Sequence, residues 1–576
     1  MADEARSAGG GASQVNRWRA AFPPSQWLPS YRPQWLPRDA IAGLTLAAYA
    51  IPVSLAYASL AGLPPEYGIY GYMVGGLGYA LFGSSRQLAI GPTSAISMLV
   101  GVTVADMASG DPGRWASVAA LTALLMASMC VLAWLLRLSS LVNFISEIIL
   151  LGFKAGAALT IAMTQLPKLF GVKGGGEGFF ERVAVLWRQL PDTNLTVLAF
   201  GLVAIALLVL GERFLPGRPV ALLVVVASIV VLSVTSLGEL GFKVVGELPR
   251  GLPDFRLPGL RITDVDGVIP LAFACMLLAY VESVSAARAI ALVHRYDVDP
   301  RQELLGLGAA NLATALFQSY PVAGGLSQSS VNDKAGARTP LALVFASVAI
   351  GLCLLFLTGL LANLPSVVLA AIVLVAVKGL IDIGELRRVW RLSRFEFAVA
   401  MVAFAAVLVL GILKGVMVAV VVSLLLVIRR AARPHVAFLG RIPGTRLYSD
   451  LERNPDNEPV PGVLLVRVEA SLVYFNVEHV RDAIQEKVRS LTEPLRLVVF
   501  DLATSPVMDI AGARMLAALE TGLRESGASL RLVGARAGAR DMLRAVGLEE
   551  RIGRIDRRIS MADVVDELQG NPPEGA

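Results

Sequence analysis

Gly91-Pro92-Thr93-Ser94-Ala95 and Gly324-Gly325-Leu326-Ser327-Gln328 interrupt the hydrophobic spans in the two halves of this apolar chain. Each puts Gly or Pro ahead of small hydroxyl residues, and each leads a helix-compatible run too short to cross a bilayer. In hydrocarbon, backbone leaves a spanning helix only where it is buried in protein or lines a cavity. Paired interruptions in two halves point to a site between two half-helix N-termini. Such ends carry unpaired N–H groups and positive dipole charge, which suits an anion.

The surrounding sequence supports a membrane setting. Of 576 residues, 55% are hydrophobic and 17% charged, with a mean hydropathy of +0.65. Soluble domains carry about a quarter charged residues. Apolar runs fall near 40–60, 67–82, 93–106, 115–136, 142–165, 194–212, 219–237, 268–288, 303–318, 327–336, 340–361, 365–380, 396–412 and 414–428. That is seven on each side of the polar connection 238–267. The runs after the two interruptions are third and tenth, hence third in each set of seven, as an inverted 7+7 repeat requires.

Charge supports this count. The basic loops Arg213/Arg218, His294/Arg295/Arg301, Arg387/Arg388/Arg391/Arg394 and Arg429/Arg430/Arg433 all follow even-numbered spans. Positive charge favours the cytoplasmic side, so both termini are expected there, in the inner (plasma) membrane. Arg17, Arg19 and Arg32 interleave with Trp18, Trp27 and Trp35, a pattern suited to the headgroup boundary. The first residues lack the apolar core of a secretory signal. The net charge of +6 therefore reports orientation, not nucleic-acid binding.

Past Pro461 the periodicity changes. Val463–Phe475, Leu495–Asp501 and Ser529–Val533 read as buried strands, and 478–490 and 510–526 as amphipathic helices. This alternation predicts a small α/β domain. The expected organisation is an N-terminal cytoplasmic segment 1–37, a transmembrane domain 38–430, a linker 431–460, an α/β domain 461–569 and a flexible tail 570–576. The linker assignment rests on the Pro-, Gly- and charge-rich stretch 440–460.

Individual residues sharpen the site. Thr93 and Ser94 follow Pro92, a residue suited to a helix start, and Ser327, Gln328, Ser329 and Ser330 open the second half-helix. Glu282 lies mid-span, where a carboxyl needs a partner, a proton or water, and is a functional candidate. Ser283 and Ser285 flank it. Glu147 and Lys154, two turns apart or about 10 Å, are too distant to pair directly and are expected to stand outside the transport machinery. Gly71 and Gly75 suit close helix packing. The three cysteines and three histidines fit no metal spacing. Gly174-Gly175-Gly176 has no following Lys-Ser/Thr and is no P-loop. No catalytic constellation appears, so no enzyme and no cofactor is expected, and transport would be driven by gradients.

Pro65-Glu66-Tyr67-Gly68-Ile69-Tyr70 running to Gly83-Ser84-Ser85-Arg86, Ile51 to Ala58, and Glu303-Leu304-x-Gly306-x-Gly308-x-x-Asn311 together resemble the signatures of SulP/SLC26 anion transporters with a C-terminal STAS domain, over about Pro37 to Leu568. The resemblance implies an α-helical polytopic fold of about fourteen segments in a 7+7 inverted repeat, divided into a core (spans 1–4 and 8–11) and a gate (5–7 and 12–14). It also implies elevator-like alternating access and a homodimer. On this reading Thr93, Ser94, Ala95, Ser327, Gln328 and Ser329 hold a small anion, and Pro52, Val53 and Tyr57 wall the pocket. Glu282, with Ser283 and Ser285, couples protons, with Na⁺ symport or anion exchange as alternatives. Three departures stand out: Val53 replaces a common Gln, Gln328 stands where many members carry Arg, and Ala511 replaces the phosphorylatable Ser of Asp-x-Ser-Gly in soluble STAS proteins. The STAS domain would offer a surface to a cytoplasmic partner. A channel-like or sensory membrane protein regulated through that domain is the reading from another class.

Overall fold

The computed structural model describes residues 22–108, 112–139, 147–176, 178–215, 219–235, 240–259, 262–556 and 558–570. The interfacial reading of Arg17, Trp18 and Arg19, the Arg218 charge and the tail from 571 onward lie outside the described residues. Two compact units form, Met1–Ser423 and Leu424–Ala576.

Over the described residues, each of the fourteen apolar runs forms helix. In the first half these are α1 (Leu36–Leu60), α2 (Glu66–Phe82), α3 (Ser94–Ala108), α4 (Pro112–Leu135) and α5 (Glu147–Phe170). The amphipathic α6 (Phe179–Gln189) follows, and then α7 (Leu195–Phe214) and α8 (Val220–Val234). The second half repeats the order with α9 (Ile262–His294), α10 (Pro300–Leu316), α11 (Leu326–Lys334), α12 (Leu341–Phe356) and α13 (Ser366–Lys378). A second amphipathic helix, α14 (Ile383–Leu392), precedes α15 (Arg394–Leu410) and α16 (Ile412–Ala432). By length and composition seven of the described helices can cross a membrane. The half-helices α3 and α11, at 15 and 9 residues, fall short of the roughly 20 that a span needs.

Packing separates the helices into two groups. α10 lies against α2 and α4, α12 against α1 and α2, and α9 against α4. In the other group α5 packs on α13 and α15, and α7 on α13. These are the core and gate sets. A Cβ on Gly152 would stand 1.9 Å from the Ala400 carbonyl oxygen, so α5 and α15 touch backbone to backbone. The small residues of 71–78 pack closely on α10, where Gly75 meets Thr314 and a Cβ on Gly78 would stand 2.6 Å from Ala309 O, and Gly71 and Gly75 also leave room for Ser319 and Val322, the segment leading into the second half-helix.

Polar anchors fix the helix ends. Asp39, buried in the first turn of α1, accepts from Arg338 N (2.6 Å), Thr339 N (3.1 Å) and Thr339 Oγ1 (2.7 Å). Glu303 of α10 accepts from Ser84 Oγ (2.6 Å), Ser84 N (2.9 Å) and Ser85 N (3.1 Å), and from Tyr79 Oη (2.9 Å). That carboxylate gathers the 83–85 turn over the start of α10.

The second unit is a five-stranded sheet in the order β4-β3-β5-β6-β7. Its strands, numbered after β1 (Ile90–Gly91) and β2 (Ala323–Gly324) of the first unit, are β3 (Val436–Arg441), β4 (Tyr448–Asp450), β5 (Val463–Val468), β6 (Leu497–Asp501) and β7 (Ser529–Val533). β5, β6 and β7 are parallel, and β3 runs antiparallel to β4 and β5. α17 (Val477–Ser490), α18 (Ile510–Glu525) and α19 (Ala537–Ala545) cover one face, where Ile484 and Leu516 meet Val466 and Phe500. α20 (Leu548–Ile552) follows α19, and α21 (Met561–Gln569) covers the other face, with Val564 and Val565 on Leu465 and Val499.

Two expectations are corrected here. The stretch 431–460 is no linker: it supplies β3 and β4, held because Ala437 and Leu439 alternate into the core while turn residues between the strands give the segment its loop-like composition. The first expected strand, 463–475, ends at Val468. Beyond it only an isolated bridge forms, Leu472 to Met508.

Candidate anion-binding site

The two interrupted segments meet. β1 (Ile90–Gly91) pairs antiparallel with β2 (Ala323–Gly324), Ile90 opposite Gly324 and Gly91 opposite Ala323. β1 feeds α3 through Pro92 and Thr93, and β2 feeds α11 through Gly325. Because the strands are antiparallel, the half-helices leave in opposite directions and their N-termini flank one short ribbon. The first intrahelical bonds run from Ser97 N to Thr93 O (2.9 Å) and from Ser329 N to Gly325 O (3.0 Å). Earlier N–H groups in each helix have no carbonyl four residues back. Each end carries roughly half an elementary charge. Gly91 is obligatory for the approach, since a Cβ there would lie 2.2 Å from the Tyr72 ring.

Thr93, Ser94 and Ala95 are buried at the head of α3, which packs on α1, the helix that carries Pro52, Val53 and Tyr57. Ser94 neighbours the Tyr57 hydroxyl. Thr93 Oγ1 donates to Glu282 Oε2 at 3.4 Å, which brings the α9 carboxylate to the mouth of α3. Ser283, fully buried, accepts from Gly324 N at 2.8 Å and so holds β2.

The second half-helix is arranged differently from the expectation. Gln328 and Ser329 are buried and turned to the ribbon: Gln328 Nε2 donates to Ala89 O and Ala323 O, while Ser329 Oγ accepts from Ala89 N (3.0 Å) and donates to Gly325 O (2.7 Å). Their side chains brace the two half-helices, and what they leave toward a ligand is backbone. Ser327 is exposed at the helix start. Ser285 is exposed where Ser283 is buried, and three residues on from Glu282 it lies on the same side of α9 as that carboxylate.

The structure brings to the site residues that the sequence reading did not assign to it. Lys154 of α5, expected to stand apart, is the basic group whose charge bears on Glu282. Asn311 holds β2 from both sides, accepting from Val322 N (2.9 Å) and donating to Val322 O (3.1 Å). Tyr320 Oη and Ser97 Oγ share a hydrogen bond at 3.1 Å. A polar amide in mid-span was the available signal for Asn311; nothing in the spacing joined Lys154 to a residue 128 positions away. Among the described residues no group of His, Cys, Asp or Glu could hold a metal ion.

Comparison with known proteins agrees with this architecture. The sulfate permease family profile matches residues 36–403, and a STAS domain profile matches 454–562. A probable sulfate transporter of Mycobacterium tuberculosis is 34% identical over 523 residues, 91% of this chain and 93% of the relative. Low affinity sulfate transporter 3 of Stylosanthes hamata is 30% identical over 577 residues, 95% of this chain and 89% of the relative. Among solved structures, the murine Solute Carrier 26 family member A9 anion transporter in its inward-facing state aligns at a TM-score of 0.88, with 25% identity, 96% of this chain and 94% of that one. The transmembrane domain of the cyanobacterial bicarbonate transporter BicA shares the fold, with a TM-score of 0.60 and 22% identity over 68% of this chain and 98% of that one. A multi-pass helical unit with half-helices paired through a two-stranded ribbon, followed by a STAS domain, makes this chain a member of the SulP/SLC26 family of anion transporters and not an enzyme.

Proposed function

We propose that this protein is a secondary active transporter of a small oxyanion of the sulfate class, coupled to protons through Glu282. The contact between Thr93 and Glu282 carries the reading, because it puts a titratable carboxylate at the N-terminus that receives the anion. A neutral site built from dipole ends and N–H groups binds an anion without a fixed positive charge and releases it readily. Uptake of a proton by Glu282 as the anion arrives removes the repulsion between two negative charges. The names of the matched relatives, which are sulfate transporters, support the substrate class.

The core group of helices would carry the ribbon and its two helix ends past the gate group in an elevator-like step. The chain would work as a homodimer in the inner (plasma) membrane with both termini cytoplasmic, and its STAS domain would present the Asp509–Gly512 turn to a cytoplasmic partner. Proteoliposomes with an imposed inward proton gradient test the reading. Radiolabelled sulfate should accumulate above equilibrium and be competed by sulfate-like anions. Accumulation driven by a Na⁺ gradient alone, or exchange without net uptake, would reject proton coupling. Preferential competition by bicarbonate, chloride or dicarboxylates would reject the substrate class.

A further inference from the structure

A polar cavity of about 190 Å³ is lined by Ala56 and Ser59 of α1, Pro65, Gln165 and Lys168 of α5, Val244, Val245 and the start of α13 at Ser366, and by no residue of either half-helix. In a unit built from apolar helices, a cavity with this lining invites an occupant. Gln165 is 2% exposed, and its amide nitrogen is turned to Thr164 Oγ1 at 2.9 Å. Lys168 is half-buried, and among the described residues no carboxylate pairs with it. The charged group that bears on it is another cation, the exposed Lys243. Lys168 thus lines the cavity while Lys243 adjoins the lining residue Val244 at the surface, and low-dielectric walls strengthen the field of such charges.

Position gives the cavity its use. Ala56 and Ser59 stand on α1 on either side of Tyr57, the neighbour of Ser94, and one to two turns from Pro52 and Val53. The cavity also lies where α1 of the core faces α5 and α13 of the gate. Every lining segment belongs to the end of the membrane unit opposite the basic loops: the ends of α1 and α5, the 61–65 and 243–245 connections, and the start of α13.

We propose that this cavity is an outer anion vestibule, in which Lys168, assisted by Ser59, Gln165 and Ser366, takes up a small oxyanion before the core carries it inward. Lys168 is then a binding residue of the access path, separate from the half-helix site. The proposal rests on the carrier reading above and on its sidedness.

Two measurements test it. In proteoliposomes of the full-length protein, Lys168→Gln should raise the KM for external sulfate by roughly tenfold, the loss of one charge-assisted contact, with turnover near wild type and Lys168→Arg restoring it. An unchanged external KM in Lys168→Gln overturns the proposal. The second measurement needs no transport. Cys130, Cys275 and Cys353 are buried, so a cysteine introduced as Ser366→Cys can be labelled selectively with membrane-impermeant thiosulfonates. From the outer side the anionic sulfonatoethyl reagent should react faster than the cationic trimethylammonium one, sulfate should slow it, and adding Lys168→Gln should abolish the preference. Equal rates for both reagents, or access from the inner side alone, overturn the vestibule. Absence of sulfate uptake by the wild type defeats the carrier reading instead, and leaves the labelling result standing.

Discussion

Gln328 reaches across the two repeats to donate from Nε2 to the carbonyl oxygen of Ala89 at 3.0 Å, and to that of Ala323 at 3.1 Å. One neutral side chain thus ties the start of the second half-helix to the strand that leads the first. Ser329 and Asn332 repeat the tie one turn apart, the latter donating to Gln87 O at 2.9 Å. The anion site is therefore framed by a braced unit and not by two independent helix ends.

Replacing Gln328 separates bracing from charge. Gln328→Leu leaves two buried carbonyls without that donor, each at a cost of about 1–3 kcal/mol, and should lower the detergent melting midpoint by several degrees along with uptake. Gln328→Arg should instead lower the KM for sulfate and slow turnover, because a fixed positive charge holds the anion that must be released. Transport assays on variants matched for folded yield check both. A Gln328→Leu protein with wild-type stability would contradict the bracing role.

Glu282→Gln keeps an acceptor for Thr93 Oγ1 but cannot exchange a proton. Accumulation driven by a proton gradient should fall to the equilibrium level, while sulfate–sulfate counterflow persists. Undiminished accumulation in the variant would sink the coupling claim.

Glu303 should divide two substitutions clearly. Three donors from Ser84 and Ser85 converge on Oε1, and Tyr79 Oη reaches both oxygens. Glu303→Gln preserves Oε1 and should fold with a modest loss of stability. Glu303→Leu strands all of these donors in a buried site, at about 1–3 kcal/mol each, and should abolish recovery of folded protein. Size-exclusion profiles of the purified variants report the difference.

Much of this was legible in the sequence, for a physical reason. Apolar length and the punctuation of Gly and Pro are local properties, so the fourteen helices and both half-helices could be read from the residues around them. Side-chain direction is not local. Whether Gln328 faces an anion or the Ala89 carbonyl depends on a segment 239 positions away, and Ser283, expected to assist Glu282, accepts from Gly324 N instead. Lys154 was expected to stand apart because the carboxylate its charge bears on, Glu282, is on another helix. β3 and β4 were missed because a short edge hairpin rich in turn residues has the composition of a linker.

The soluble unit should respond to acid through Asp450. Burial alone would raise its carboxyl, but a hydrogen bond from His435 at 2.7 Å and one from Glu452 N at 2.9 Å hold it below its usual range. Backbone and hydroxyl donors from Ser560 likewise hold Asp563 low. With the folded value depressed, the unfolded chain binds more protons, so stability rises with pH through this region. The contribution is in place above the unfolded carboxylate range near pH 4 and is lost as pH falls through the folded value. All seven tryptophans precede residue 424, so a far-UV transition without a matching change in tryptophan fluorescence reports the soluble unit of the full-length protein. Across a pH series Asp450→Asn should melt below wild type near neutrality and converge with it only once the pH falls below the depressed folded value, where both side chains are uncharged. A constant offset between the two curves at every pH would show that Asp450 contributes packing alone.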